Sequence, residues 1–346
     1  MYKVELRSDT FTMPDEGMRR AIYQAEVGNS GYGEDPSINQ LEQEMAEYFG
    51  VQAGVFLPSA TMAGQIAIRV WTRPGDWVLI EEFGHNYYFE EGSISLISRV
   101  QPCLLKSSRG ILAPEMIAAS IAASIAHPEN SDARTSLIVL ENTSNFGGGT
   151  IYPQETLDTI FALANKNNLP VQVDGARIWN AIVATQSDAR RLIQLGGSMS
   201  VCFSKGLGAP MGAVLLGSPD FIAEARRIQC MLGGVMRQVG FLAAAALYGF
   251  RHNLARLEED HANCSFMADR LAGHTALEID LQGVQTNILY IDVKAGTQRA
   301  ARLVDELAEA GIGALNLGSL IRLVTHINIS RKDCEYAVEA IHRLLK

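Results

Sequence analysis

Between about residue 54 and residue 216 the chain repeats one pattern, a short apolar run followed by a helix-spaced stretch and then another short apolar run. Gly54-Val55-Phe56-Leu57, Trp77-Val78-Leu79-Ile80, Leu137-Ile138-Val139-Leu140, Val171-Gln172-Val173, Met199–Phe203 and Ala213–Leu216 supply the runs. Thr61–Trp71 reads as an intervening helix, and Leu157, Ile160, Phe161 and Ala164 recur at helical spacing before the Val171 run. Strands that are apolar on both faces must be covered on both faces, and helical connections make neighbouring strands parallel. The expected fold is therefore α/β, with a mostly parallel sheet flanked by helices. Upstream, Ser37 and Gln40 have the spacing of a capping box, Ile38, Leu41, Met45 and Phe49 mark one helix face, and Gly50 ends it. From about Asn253 the regular alternation stops: Thr286–Val293 reads as a strand, Gln298–Ala310 as a helix and Ile321–Thr325 as a strand. Ser330-x-x-Asp333 caps a last helix running to Lys346. We expect residues 1–252 to form an N-terminal segment and a large domain, and residues 253–346 a smaller C-terminal α+β domain.

Charge and cysteine usage narrow the function classes. A net charge of −9 makes a nucleic-acid backbone a poor partner. Cys103, Cys202, Cys230, Cys264 and Cys334 are scattered without paired spacing, so neither a metal site nor a disulfide framework is expected. The opening residues lack the apolar stretch of a signal peptide, and no run is long enough to span a bilayer. The expectation is a cytoplasmic enzyme with no membrane partner.

In parallel α/β sheets ligands gather at the carboxyl ends of the strands. Two strand patterns there end on chemistry: Asp174 after Val171–Val173, and Lys205 after Met199–Phe203, in Ser204-Lys205-Gly206-Leu207-Gly208. An amine that forms a Schiff base, with a carboxylate that keeps a pyridine nitrogen protonated, is what pyridoxal phosphate chemistry requires. A plainer alternative makes Asp174 a turn cap with Arg177 as its salt-bridge partner; otherwise the Arg177 fork is free to hold a substrate carboxylate. Ser59, Ala60 and Thr61 stand between a strand and a helix, where hydroxyls, amides and the helix dipole suit a phosphate, or simply cap the helix. His85 follows the Trp77–Ile80 strand and reaches the same rim, where an imidazole can stack on a ring or relay a proton.

The ordered segments Arg7-Ser8-Asp9-Thr10, Tyr32-Gly33-Glu34-Asp35-Pro36, Glu141-Asn142-Thr143, Asp174-Gly175-Ala176-Arg177, Ser204–Pro210, Met236-Arg237-Gln238 and Arg322–His326 extend across nearly the whole chain. Together they resemble the threonine aldolases, of the β-eliminating lyase branch of the fold-type I pyridoxal phosphate enzymes. The resemblance implies that Lys205 is the Schiff-base lysine, Asp174 the partner of the pyridine nitrogen and His85 the ring-stacking histidine and proton acceptor. It implies Ser59, Ala60, Thr61, Arg177 and Ser204 as further cofactor contacts, with Arg237 reaching the phosphate in a neighbouring subunit. Ser8, Arg177 and Arg322 match the cradle for the substrate carboxylate, and Tyr32 the segment entering the adjoining subunit's site. The implied assembly is a homodimer or a homotetramer with shared sites. The implied reaction cleaves threonine, allo-threonine or a phenylserine-like amino acid to glycine and an aldehyde.

One departure from the family pattern is mild: Ala60 replaces a common glycine in the phosphate loop, where backbone amides do the binding. Two others fall near the expected substrate side chain: Ser144 stands where the family has a histidine, and His127 lies in a longer segment before Arg134-Thr135. They leave open another pyridoxal phosphate reaction on the same scaffold: β-elimination, racemisation or transamination.

Overall fold

The computed structural model describes residues 2–125 and 134–346. His127 lies outside the described residues. Strand β1 (Val4–Glu5) comes first, followed by β2 (Ala53–Leu57), β3 (Trp77–Glu81), β4 (Gln101–Leu105), β5 (Thr135–Glu141), β6 (Val171–Gly175), β7 (Ser198–Cys202) and β8 (Ala213–Gly217). These last seven form one sheet in the order β2-β8-β7-β6-β5-β3-β4. Neighbours from β4 to β7 pair in parallel, while β8 runs antiparallel to both β2 and β7. Every residue of β5, β6, β7 and β8 is buried, which is why those segments read as unbroken apolar runs.

Strand β4 was not legible as an apolar run. It occupies a sheet edge and contains Pro102, a residue an edge tolerates because one row of amides has no sheet partner. The helix expected to start at Ser37 spans Pro36–Phe49 and is capped by Asp35, whose Oδ1 accepts from the Ile38 amide at 3.1 Å. Proline at the first helical position needs no amide partner, so the cap falls one residue before it. Ser37 instead donates to the carbonyl of Glu26.

The C-terminal part contains β9 (Leu277–Glu278), β10 (Ile288–Val293), β11 (Ile312–Gly313), β12 (Leu315–Leu317) and β13 (Leu320–Val324). An antiparallel sheet in the order β12-β13-β10-β9 packs with helices Leu257–Leu271, Thr297–Glu309 and Arg331–Leu344. Ser330 and Asp333 form a complete capping box on the last helix. The chain's start packs against this C-terminal part: β1 pairs in parallel with β11, and Val4 and Leu6 are buried in its apolar cluster. Val4 on β1 and Leu6 just after it find their apolar cover there. Among the described residues no helix is long and apolar enough to cross a membrane.

Candidate active site

The carboxyl ends of β5, β6 and β7 lie side by side, and each carries an expected or unexpected polar group. Glu141 pairs in register with Asp174, and Asp174 with Ser200, three residues before the bend that leads to Lys205. Asp174 is buried, and its Oδ1 accepts from the Ala176 amide at 3.0 Å. Lys205 is half-buried beyond β7, its carbonyl accepting from the Thr12 hydroxyl at 2.9 Å. Among the described residues its ammonium has no ion-pair partner.

His85 opens a short helix, His85–Tyr88, after β3. Its Nδ1 lies 3.0 Å from Glu90 Oε1, and its backbone amide donates to Glu141 Oε2 at 2.6 Å. With Glu90 on Nδ1, the lone pair falls on Nε2, the nitrogen left for proton transfer. Burial disfavours the imidazolium, but the Glu90 hydrogen bond and the charges of Asp174 and Glu141 outweigh it against Lys205, leaving the pKa raised. The imidazole thus feels Asp174, Glu141 and Lys205 together, which places all four groups in one electrostatic site.

Arg177 is not free to present its fork to a ligand. Nε and Nη2 each donate to Asp9 at 2.7 Å, and both side chains are buried. A buried carboxylate competes for a bidentate guanidinium more strongly than an incoming ligand that must first be desolvated. Arg177 Nη1 remains, 3.4 Å from Asn145 Oδ1. Arg322 Nη1 donates to the same oxygen at 3.1 Å, and its buried Nε has no hydrogen-bond partner among the described residues. Burial, then the Arg177 charge, lower the pKa of Arg322. The Arg177 charge is met by Asp9, whereas Arg322 has no carboxylate partner among the described residues, so Arg322 is the guanidinium left to meet an anion here. Ser8, also in this segment, accepts from Thr10 at its hydroxyl and lies beside Asp9.

At the start of helix Ala60–Trp71, Ser59 Oγ caps the Met62 amide at 3.1 Å and keeps its hydroxyl proton for donation. Thr61 is exposed on that first turn, and Ser204 Oγ lies 3.4 Å from Cys202 Sγ. Tyr32 and Arg237 are elsewhere. Tyr32 is 79% exposed, and the Ser30 amide of its turn donates to the Arg237 carbonyl at 3.0 Å. The cavity that Arg237 borders is lined by residues such as Ser30, Phe56 and Gln229 and by none of Lys205, Asp174 or His85. The fold therefore brings Lys205, Asp174, His85, Arg177, Arg322 and Ser8 together and leaves Tyr32 and Arg237 on an outer surface.

Residues 5–294 match the family described as Beta-eliminating lyase. The chain belongs to that family. A low specificity L-threonine aldolase of Escherichia coli O157:H7 is 38% identical to this lyase over 331 residues, covering 95% of this chain and 96% of the relative. A probable low-specificity L-threonine aldolase 2 of Arabidopsis thaliana is 37% identical, covering 99% and 97%. A solved threonine aldolase of Leishmania major superposes with a TM-score of 0.84 at 17% identity, covering 99% of this chain and all (100%) of that one. That last likeness speaks for the fold alone.

Four side chains of the lyase site were not singled out from sequence: Asp9, Glu90, Glu141 and Asn145. A signal for Glu141 was present, because two apolar strand patterns in a parallel sheet, Leu137–Leu140 and Val171–Val173, both end on an acid. Ser144, standing where a histidine is usual, is buried and turns inward: its Oγ accepts from the Gly147 amide at 3.1 Å. A Cβ on Gly110 would come within 1.9 Å of that hydroxyl oxygen, so the loop has closed around a small side chain. Phe146, two residues on, stacks on Phe83 at 4.5 Å and approaches Tyr290 at 6.1 Å.

Proposed function

We propose that this lyase uses pyridoxal phosphate to cleave threonine, or another β-hydroxy-α-amino acid, to glycine and an aldehyde. The observation that carries the reading is the convergence of Arg177 and Arg322 on Asn145 Oδ1, beside a buried Asp174 and a Lys205 with no ion-pair partner among the described residues. An amine, a carboxylate and a hydroxyl-bearing helix start suit, in turn, the aldehyde, ring nitrogen and phosphate of that cofactor. When bound, it supplies an electron sink for the α-carbon. Lys205 would hold it through Nζ, Asp174 at the ring nitrogen, and Ser59 and Thr61 at the phosphate.

The protein's own groups then do the positioning. Arg177 Nη1 and Arg322 would hold the substrate carboxylate and so fix how its Cα bonds are oriented in the site. His85 Nε2 accepts the β-hydroxyl proton as the Cα–Cβ bond breaks, and Glu90 stabilises the resulting imidazolium. Phe146, next to Asn145, and Tyr290, paired across the sheet with Arg322, border one cavity that would suit an alkyl or aryl β-substituent.

We further propose a homo-oligomer, a dimer or a tetramer of dimers. Exposed Tyr32, Met231, Leu232 and Phe241 support it, as does the placement of Arg237 away from its own chain's site. Incubation of the cofactor-loaded protein with threonine, phenylserine, cysteine and alanine tests the reaction; glycine and an aldehyde from the first two are expected. Pyruvate from cysteine alone, or racemised alanine alone, would overturn it. Light scattering on the same preparation is expected to read twice or four times the chain mass.

The raised pKa of His85 gives a second expected result. If His85 is the proton acceptor, kcat/KM rises with pH through its pKa. Glu90→Gln removes the charge that favours the imidazolium while keeping an acceptor, so the acidic limb of the profile moves to lower pH. An unmoved or upward-shifted limb would remove His85 from this role.

A further inference from the structure

We infer that Glu141 is a positioning residue that sets the spacing between the proton acceptor and the carboxylate cradle. The inference rests on the aldolase reading and adds to it a group that touches neither substrate nor cofactor. Glu141 ends β5, is 8% exposed, and spends its two oxygens on two different loops. Oε2 accepts from the His85 amide and Oε1 from the Asn145 amide, each at 2.6 Å. Beyond the first amide lies the imidazole held by Glu90. Beyond the second lies the Asn145 side chain, on which Arg177 and Arg322 converge. One carboxylate at the end of a buried strand therefore ties together the two halves of the substrate site.

Only a carboxylate does this well. It offers two acceptor atoms and no donor, whereas an amide would turn an NH₂ against one of the two backbone N–H groups. The cost of keeping it there is visible. Burial, then the neighbouring charge of Asp174, push the Glu141 pKa up against the pull of the two amides and His85. Arg177, Tyr152 and Tyr290 also feel its charge. A residue serving strand stability alone would gain nothing from being an acid paired in register with another acid on the next strand.

The test combines hydrogen exchange, read by residue-level fragmentation mass spectrometry, with steady-state kinetics on the cofactor-loaded protein. In Glu141→Gln, exchange at the His85 or the Asn145 amide is expected to rise by about 10- to 100-fold, the loss of one buried acceptor. With threonine, kcat should fall and KM rise together, because the acceptor and the clamp both shift. Glu141→Asp keeps two acceptors on a shorter stem and should recover part of both effects. Unchanged exchange at both amides in Glu141→Gln would overturn the inference, as would raised exchange with kcat/KM within about twofold of the parent. Should Glu141→Gln not fold, Glu141→Asp decides in the same way: parental exchange and parental kinetics would overturn the inference. A parent protein that splits no β-hydroxy amino acid sinks the aldolase reading instead, and the exchange data still speak for or against the Glu141 tie.

Discussion

Replacing Lys205 with alanine is expected to lower turnover by roughly 10³-fold or more, with almost no effect on folding. The residue sits past the end of β7, and the contact that anchors it runs through its carbonyl, which accepts from Thr12. Alanine keeps that carbonyl. Because the ammonium is half-buried and has no ion-pair partner among the described residues, truncation breaks no salt bridge and opens no apolar cavity. The thermal midpoint should therefore stay close to the parent's, since Lys205 reaches buried Asp9 only as a secondary charge behind the Arg177 pair. Function has no such reserve, since the amine that would bind the cofactor is lost outright. Borohydride treatment of the parent should fix the cofactor on the peptide bearing Lys205, and the variant should carry no such label. Parental turnover in the variant, or a label on another lysine, would overturn the assignment.

How far the sequence could be read depended on whether a residue's role was local. The apolar runs of β2, β3, β5, β6, β7 and β8 announced themselves because a doubly covered strand has no polar face. Lys205, Asp174 and His85 could be placed because each follows such a run. β4 escaped because an edge strand can be short, half-exposed and interrupted by Pro102. β1 escaped because two residues leave no period to count, and their burial depends on a strand more than 300 positions away, β11. The same non-locality hid the partner of Arg177. From spacing, the nearest acid is Asp174, three residues earlier. The fold hands the fork to Asp9, and no local rule could have matched those two. Glu141 shows a third kind of loss: its segment was visible, but its work lies in the two backbone amides it accepts from, which carry no sequence signal.

That long-range pair yields the other large effect. Asp9→Ala should lower stability by about 3–5 kcal/mol, because it strands a buried guanidinium. Asp9 is fully buried and accepts twice from Arg177 at 2.7 Å and once from Asn287 at 3.1 Å. Burial alone would raise its pKa, but the charge and hydrogen bonds of Arg177, then Lys205 and Asn287, hold it well below the usual carboxylate range. A depressed carboxylate pKa contributes stability that is complete above the unfolded value, near 3.9, and is lost as pH falls toward the folded one. The parent should therefore lose stability on acidification below about pH 4, and Asp9→Ala should show a shallower acid slope in that window. With an unfolding entropy of roughly 2.1 cal/mol/K per residue, the neutral-pH loss corresponds to a drop of about 4–7 °C in thermal midpoint. Catalysis should suffer separately. Without Asp9 to hold Nε and Nη2, Arg177 is pushed from Arg322 by like charge, and KM for the amino acid should rise more than kcat falls. Asp9→Asn offers the sharper comparison, since it keeps the shape and one acceptor but removes the charge. A melting midpoint in Asp9→Ala within about 1 °C of the parent would mean that the buried pair is not what holds this corner of the fold.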